Sequence, residues 1–112
     1  MMKSLKLLKI NKSDKSDKKY MAIFLVNKEK TKTIHFGSAG MRDFTKINDK
    51  NSKWYLPKAL DRNVVKDSYL RRHEKNEDWN NPLTAGSLSR WILWDKKTLD
   101  SSIKAFVKKF KL

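Results

Sequence analysis

The chain contains no cysteine, which excludes disulfide bonds and thiolate metal sites and fits a reducing compartment. It also has no apolar run of the ~20 residues that a membrane-spanning helix needs. The stretch from Met1 to Ile10 mixes lysines with leucines and lacks the uninterrupted apolar segment of a signal peptide. These absences argue against a secreted protein and against a membrane protein.

Acidic residues are scarce, because 12 Asp and Glu stand against 27 Lys and Arg and leave a formal net charge of +15. Such a charge repels itself unless a polyanion is nearby, so nucleic acid is the leading partner. Lysines make up 22 of the 27, and lysine suits phosphates better than the bidentate recognition of base edges. The excess lies in residues 1–60 and 81–112, on either side of a balanced middle. A lysine-rich surface produced by biased composition is the open alternative.

Three short runs in the first third of the chain have the character of β-strands. Residues 5–10 partly alternate between apolar and polar, although a helix is the open alternative there, and residues 20–26 and 31–36 are rich in β-branched and aromatic side chains. The polar stretch 27–30 between the last two predicts a hairpin. Residues 11–19 contain no apolar side chain, so we expect a solvated, flexible loop with no ligand.

Helical periodicity appears only in the second half of the chain. Apolar residues on neighbouring turns predict a helix from Asn63, which can cap it, to about Lys75. Thr84 can cap a second helix over residues 85–94. Thr98 begins a third helix, in which apolar residues recur at spacings of three and four.

These elements predict a single α+β domain, in which a small antiparallel β-sheet from the N-terminal third packs against about three C-terminal helices. We divide the chain into residues 1–19, a basic N-terminal strand and flexible loop, and residues 20–112, one compact domain. The hydrophobic fraction of 38%, with four tryptophans, is enough for a modest core.

Two glycine-containing segments could hold an anion. Gly37 and Gly40 permit positive backbone dihedrals in the turn 37–40, whose amides could point outward together. A tight connection is the commoner role, since no helix follows such a turn directly. Residues 84–87 begin a predicted helix whose free amides suit a phosphate, but ordinary capping and close helix packing explain them equally well.

The tryptophans and one basic cluster each have two interpretations. Trp91 and Trp94 lie three positions apart on a predicted helix, and such rings either stack on unpaired bases or fill the core, which is favoured in so small a domain. Arg90 beside them is the better surface candidate. The basic cluster in residues 71–75 either clamps phosphates or pairs with acidic neighbours on its own helix.

The order of three segments resembles a family of small basic proteins from nucleocytoplasmic large double-stranded DNA viruses of eukaryotes, of the giant-virus type. The segments are residues 35–45 (HFGSAGMRDFT), 69–73 (YLRRH) and 77–94 (EDWNNPLTAGSLSRWILW). Thr98-Leu99 and Ser102-Ile103 continue the likeness, while the N-terminal 17 residues lie outside it. The resemblance implies a viral origin and a place in the virion or in the viral factory, in the cytoplasm or nucleus of the infected cell. It implies no catalytic or binding residue.

Nothing in the sequence predicts an enzyme. The chain has two histidines, and no nucleophile or metal-ligand spacing joins them to an acidic residue. Asp43, Asp61, Glu77 and Asp78 would have to converge to hold Mg²⁺, and carboxylates this scattered are usually solvated. We therefore expect no catalytic activity, no cofactor and no metal site.

The sequence favours a viral nucleic-acid-binding protein that neutralises phosphates without sequence preference, for genome packaging or condensation, with double-stranded DNA or another nucleic acid as its partner. The alternative is a minor structural protein of the virion, a cement or scaffold whose basic surface meets acidic capsid or core proteins. Neither role involves a membrane. The expected nucleic-acid contacts are Lys32, Arg42, Lys46, Arg71, Arg72, Arg90, Lys104, Lys108 and Lys109.

Overall fold

Three antiparallel strands form a sheet in the N-terminal part of the chain, and helices follow them. The computed structural model describes residues 4–112, and in that range the strands are β1 (Leu5–Lys12), β2 (Lys18–Val26) and β3 (Lys30–Ser38), in the spatial order β1-β2-β3. The predicted hairpin joins β2 to β3. The α+β fold with a small N-terminal sheet is confirmed, and each strand extends beyond its sequence signal.

A bulge lets β1 keep its apolar side chains on one face. The register of β1 against β2 shifts between Leu7 and Lys9. This shift places Ile10, three positions after Leu7, on the same face of the sheet as Leu7. Leu8 remains 46% exposed. The bulge is the reason that residues 5–10 follow the alternation of a strand only in part.

The loop between β1 and β2 is shorter than predicted, because both strands extend into the polar stretch and leave only residues 13–17 between them. The Ser13 amide donates to the Lys19 carbonyl at 3.0 Å. The Ala39 amide, in the turn after β3, donates to the Asp17 carbonyl at 3.0 Å. Backbone hydrogen bonds therefore tie both ends of this loop to the sheet and its turns.

The division drawn between residues 19 and 20 falls inside β2. The strand that precedes it, β1, pairs along its length with β2 and belongs to the same sheet. Both sides of the division therefore share one sheet. Residues 1–3 of the N-terminal segment lie outside the described residues.

The described range contains four α-helices and one π-helical segment after the sheet. They are α1 (Phe44–Ile47), α2 (Ala59–Glu74), α3 (Ala85–Leu88), the π-helical segment (Ser89–Leu93) and α4 (Leu99–Phe110). Helix α1 was not predicted from the sequence, because it is a single turn in a stretch without sustained apolar periodicity.

The predicted start of α2 is wrong. The helix begins at Ala59, and Asn63 lies inside it and does not cap it. Lys58 occupies the N-cap position and forms no side-chain cap hydrogen bond. Leu60 and Val64 are 73% and 59% exposed, so the first turns of the helix bury little apolar surface. The apolar residues of these turns therefore do not mark a buried face, and an apolar pattern alone does not extend the helix back to Ala59.

The two threonine caps are confirmed. The Thr84 hydroxyl accepts from the Ser87 amide at 3.2 Å, and the Thr98 hydroxyl accepts from the Ser101 amide at 3.2 Å. The predicted helix over residues 85–94 is, however, divided between α3 and the π-helical segment. Its boundaries fit the prediction, but its backbone widens after the first turn.

One hydrophobic cluster joins the sheet to the helices. Phe24 and Phe36 from the sheet, Ile92 from the π-helical segment and Phe106 from α4 are each at most 1% exposed. Trp94 is also buried, which fits the core interpretation for this tryptophan. Within residues 4–112, no helix combines the length and the apolar composition needed to cross a membrane.

Gly37 and Gly40 allow a matched test of close packing at the end of β3. Both have a positive φ, +79° and +78°, but a Cβ on Gly37 would lie 2.8 Å from Leu93 Cδ1, whereas a Cβ on Gly40 meets nothing within 4 Å. We predict that Gly37→Ala lowers the free energy of unfolding by about 3 kcal/mol through backbone strain and overpacking. Gly40→Ala introduces only the backbone strain, so it should lower the free energy of unfolding by about 1 kcal/mol. Urea denaturation of both variants measures the difference, and equal losses would contradict the packing role of Gly37.

Candidate nucleic-acid interface

Three cavities adjoin one another across the sheet, α1 and α2. The first, of about 280 Å³, shares Lys18, Lys19 and Met41 as lining residues with the second, of about 530 Å³. The second shares Tyr20 and Lys46 with the third, of about 440 Å³. Because neighbouring cavities share lining residues, they adjoin one another, and we call the three cavities together the basic groove.

Positive charge dominates the lining of the basic groove. Its carboxylates are Asp14, Asp49 and Glu77. The nine cationic residues of this lining are Lys12, Lys15, Lys18, Lys19, Arg42, Lys46, Lys50, Arg72 and Lys97. In the described residues, Lys19 is the one member of this set that forms an ion pair with a carboxylate. The other eight are available to an anionic ligand.

The buried carboxylate of Asp43 fixes one wall of the basic groove. Lys19 Nζ donates to its Oδ2 at 2.6 Å, and the Thr45 hydroxyl and the Lys46 amide donate to its Oδ1. Asp43 is 0% exposed, so these charge-assisted bonds form away from water. They connect β2 to the first turn of α1 and thereby hold Arg42 and Lys46 at the groove.

The first cavity has aromatic residues in its wall. Tyr69 stacks on Trp94, with ring centroids 4.1 Å apart and planes at 6°, and on His73, also at 4.1 Å. Burial raises the pKa of the Tyr69 phenol well above its ordinary value, so the ring is neutral here. His73 Nδ1 lies 3.1 Å from Glu77 Oε2, and the Trp79 indole donates to Glu77 Oε1 at 3.0 Å. The carboxylate in this cavity is therefore already hydrogen-bonded.

The second cavity presents apolar side chains next to lysines. Tyr20 and Trp54 line it and are half-buried, and Tyr20 extends into the third cavity. Met41, at the junction with the first cavity, is 60% exposed. Lys53 Nζ lies 5.1 Å from the centroid of the Trp54 ring. Apolar surface and positive charge thus alternate along the middle of the basic groove.

The basic groove brings together three of the nine predicted contacts, Arg42, Lys46 and Arg72. Five others are exposed but do not line it. They lie on β3, α2 and α4, and they are Lys32, Arg71, Lys104, Lys108 and Lys109. Lys109 Nζ lies 4.3 Å from the centroid of the Trp91 ring.

Arg90 is not the surface residue that we expected. Its side chain is 13% exposed, its guanidinium lies 4.2 Å from the Trp91 ring centroid and 5.3 Å from that of Trp79, and it donates to the Trp94 carbonyl at 3.2 Å. Its Nη1 lies 3.7 Å from Asp95 Oδ1. Burial lowers the pKa of this guanidinium below its usual value. Arg90 therefore holds aromatic rings together and is not free to contact a ligand.

Intramolecular pairing on α2 is more limited than the sequence allows. His73 pairs with Glu77, whereas neither Arg71 nor Arg72 forms an ion pair within the described residues. Arg72 donates to the Ser68 hydroxyl at 2.6 Å. The two arginines thus keep their charge available despite the acidic residues nearby.

The two glycine segments favour their structural interpretations. Gly37 sits against Leu93, as described above. A Cβ on Gly86 would lie 2.8 Å from Glu77 Cδ, so the glycine permits the close approach of Glu77. The Ser87 amide already donates a hydrogen bond to the Thr84 hydroxyl, so this amide is not free for an anion. Both segments nevertheless border the first cavity, through Gly37, Ser38, Ala85 and Gly86.

Six groove cations are not among the contacts predicted from the sequence: Lys12, Lys15, Lys18, Lys19, Lys50 and Lys97. Four of them lie in the polar stretch that we expected to bind no ligand. The density of lysines there, four in residues 12–19, is the signal that could have identified them. Only the tertiary structure shows that these lysines line the same groove as Arg42 and Arg72.

The four carboxylates considered for Mg²⁺ do not form a cluster. Asp43 is buried against Lys19, and Glu77 is bonded to His73. Within residues 4–112, no three His, Cys, Asp or Glu side chains are grouped as a metal site requires.

A family model described as "Family of unknown function (DUF5754)" matches residues 8–54. This span holds most of β1, all of β2 and β3, and α1. It includes seven of the nine groove cations, the exceptions being Arg72 and Lys97. No curated protein and no solved structure matches the chain.

We predict that Arg90→Ala lowers the free energy of unfolding by about 2 kcal/mol, because it removes the contacts with the tryptophan rings and leaves Asp95 without its partner. Arg71→Ala, which removes the same charge from an exposed site, should change it by less than about 0.5 kcal/mol. Thermal or urea denaturation compares the two. An Arg90→Ala variant as stable as the parent, but weaker in binding nucleic acid, would contradict the structural role.

Proposed function

We propose that this protein binds nucleic acid without sequence preference, and that the basic groove is its main contact surface. One observation carries the proposal: three adjoining cavities are lined by nine cationic residues against three carboxylates. Lysines and arginines spread over adjoining cavities match a polymer of phosphates better than a single small anion, because each phosphate releases counterions when it meets a cation.

The type of cation supports binding without sequence preference. Seven of the nine groove residues are lysines, whose flexible ammonium groups act as point charges for phosphates. Base-edge recognition in a duplex would favour arginine or amide side chains on an element that enters the major groove. The other two groove residues are Arg42 and Arg72, and both line the first cavity.

The scarcity of ion pairs gives further support. In the described residues, Lys19 and Arg90 are the lysine and arginine side chains that pair with a carboxylate, and both are mostly buried. The remaining cations repel one another. A polyanion in the basic groove would relieve that repulsion, so binding should also raise the stability of the fold.

The viral setting and the role in genome packaging or condensation remain predictions from the family resemblance. The alternative, a minor virion protein whose basic surface meets acidic capsid or core proteins, relies on the same net charge. It does not require the cations to gather around adjoining cavities, so their location favours nucleic acid.

Two double variants test whether the basic groove is the contact surface. Arg42→Ala/Lys46→Ala removes two charges from the groove, and Lys104→Ala/Lys108→Ala removes two from the exposed face of α4. Binding to a random duplex or single strand should weaken steeply between about 50 and 200 mM salt. The groove variant should lower the slope of log K against log salt by about 2, whereas the α4 variant should lower it by less than about 1.

Two results would contradict the proposal. Equal changes in slope for the two variants would mean that charge alone matters and that the groove does not. No binding at low salt would mean that the basic surface serves a protein partner, as in the virion-scaffold alternative.

A further inference from the structure

We infer that the occupant of the basic groove is a single strand of nucleic acid, whose unpaired bases lie against Trp54, Tyr20 and Met41. This inference rests on the proposed function and adds the strand state, which net charge cannot give.

The size of the cavities in the basic groove favours a single strand. Its three cavities have volumes of about 280, 530 and 440 Å³, the scale of pockets that enclose one small organic group each. A chain of such cavities suits an extended polymer that places one or a few units in each. A duplex is a wide, stiff rod that would cross the rim of the cavities and leave their interiors empty.

Aromatic side chains line the second and third cavities. Trp54 and Tyr20 border the second cavity, and Tyr20 continues into the third. Aromatic rings beside a basic path bind single strands because successive bases stack on them whatever the sequence. In a duplex the base faces are already stacked on one another and cannot reach a ring inside a cavity.

Met41 is an apolar side chain at the junction of the first and second cavities. The residue is 60% exposed. Methionine sulfur makes favourable contacts with aromatic groups, so an unpaired base is a suitable partner for it. Lys18, which forms no ion pair in the described residues, borders the same junction and can contact a phosphate of the strand.

Lysines accompany the apolar side chains along the groove. Lys12, Lys15 and Lys46 line the same cavity as Trp54, and Lys53 lies over the Trp54 ring. Lys50 and Lys97 continue the positive charge into the third cavity beside Tyr20. The path therefore offers phosphate contacts and base contacts together, which a surface for a duplex backbone does not need.

The test compares an oligothymidylate with a duplex of the same length over a series of salt concentrations. We expect the single strand to bind about tenfold more tightly at equal salt. Trp54→Leu should weaken this binding about tenfold without changing the salt slope, because stacking releases no counterions, and Trp54→Phe should restore most of the loss. Lys46→Ala, the matched charge variant, should lower the slope by about 0.7.

Two further measurements guard against a folding defect in Trp54→Leu. Met41→Ser changes an exposed side chain and should weaken single-strand binding about threefold while the thermal midpoint stays unchanged. The single strand, but not the duplex, should quench tryptophan fluorescence in the parent protein, and Trp54→Phe should abolish most of the quenching.

The outcomes separate the two proposals. If neither strand state binds at low salt, the proposed function fails. If the duplex binds as tightly as the single strand and the Trp54 and Met41 variants keep full affinity, the function stands and the single-strand inference is overturned. Preference for the single strand together with loss of quenching in Trp54→Phe supports both.

Discussion

The buried carboxylate of Asp43 is the interaction on which the rest of the structure depends. A charge with no solvent exposure is costly unless it is paired and hydrogen-bonded, and Asp43 meets this condition with Lys19, Thr45 and the Lys46 amide. The same contacts join the central strand to the turn of helix that follows the sheet. Fold and candidate site are coupled here, since the residues that satisfy Asp43 also border the basic groove.

The distribution of charge explains how a fold with a net charge of +15 remains stable. The two paired cations, Lys19 and Arg90, hold internal contacts, while the other groove lysines stay near solvent, where water screens their repulsion. Arg90 can hold such an internal position because its planar guanidinium packs against the rings of Trp79 and Trp91. Most of the positive charge therefore adds little to stability and is available for association with a polyanion.

Sequence patterns predicted the elements better than their assembly. Alternation identified the strands, and the threonines at positions 84 and 98 identified two helix starts, because such signals are local. The bulge at Leu8, the exposed first turn of α2 and the burial of Arg90 depend on what packs against each segment, which the sequence does not display. The groove illustrates this limit most clearly, since Arg72 and Lys18 are far apart in the chain and share a cavity only after folding.

The most direct measurement of the central claim is a backbone amide NMR titration of the isotope-labelled protein with a short oligothymidylate at low salt. The account predicts that chemical shifts change at Lys18, Met41 and Lys46 around the basic groove, and that the amides of the exposed α4 lysines change little. Shifts confined to α4 and β3, with the groove amides unaffected, would contradict the claim that the basic groove binds nucleic acid.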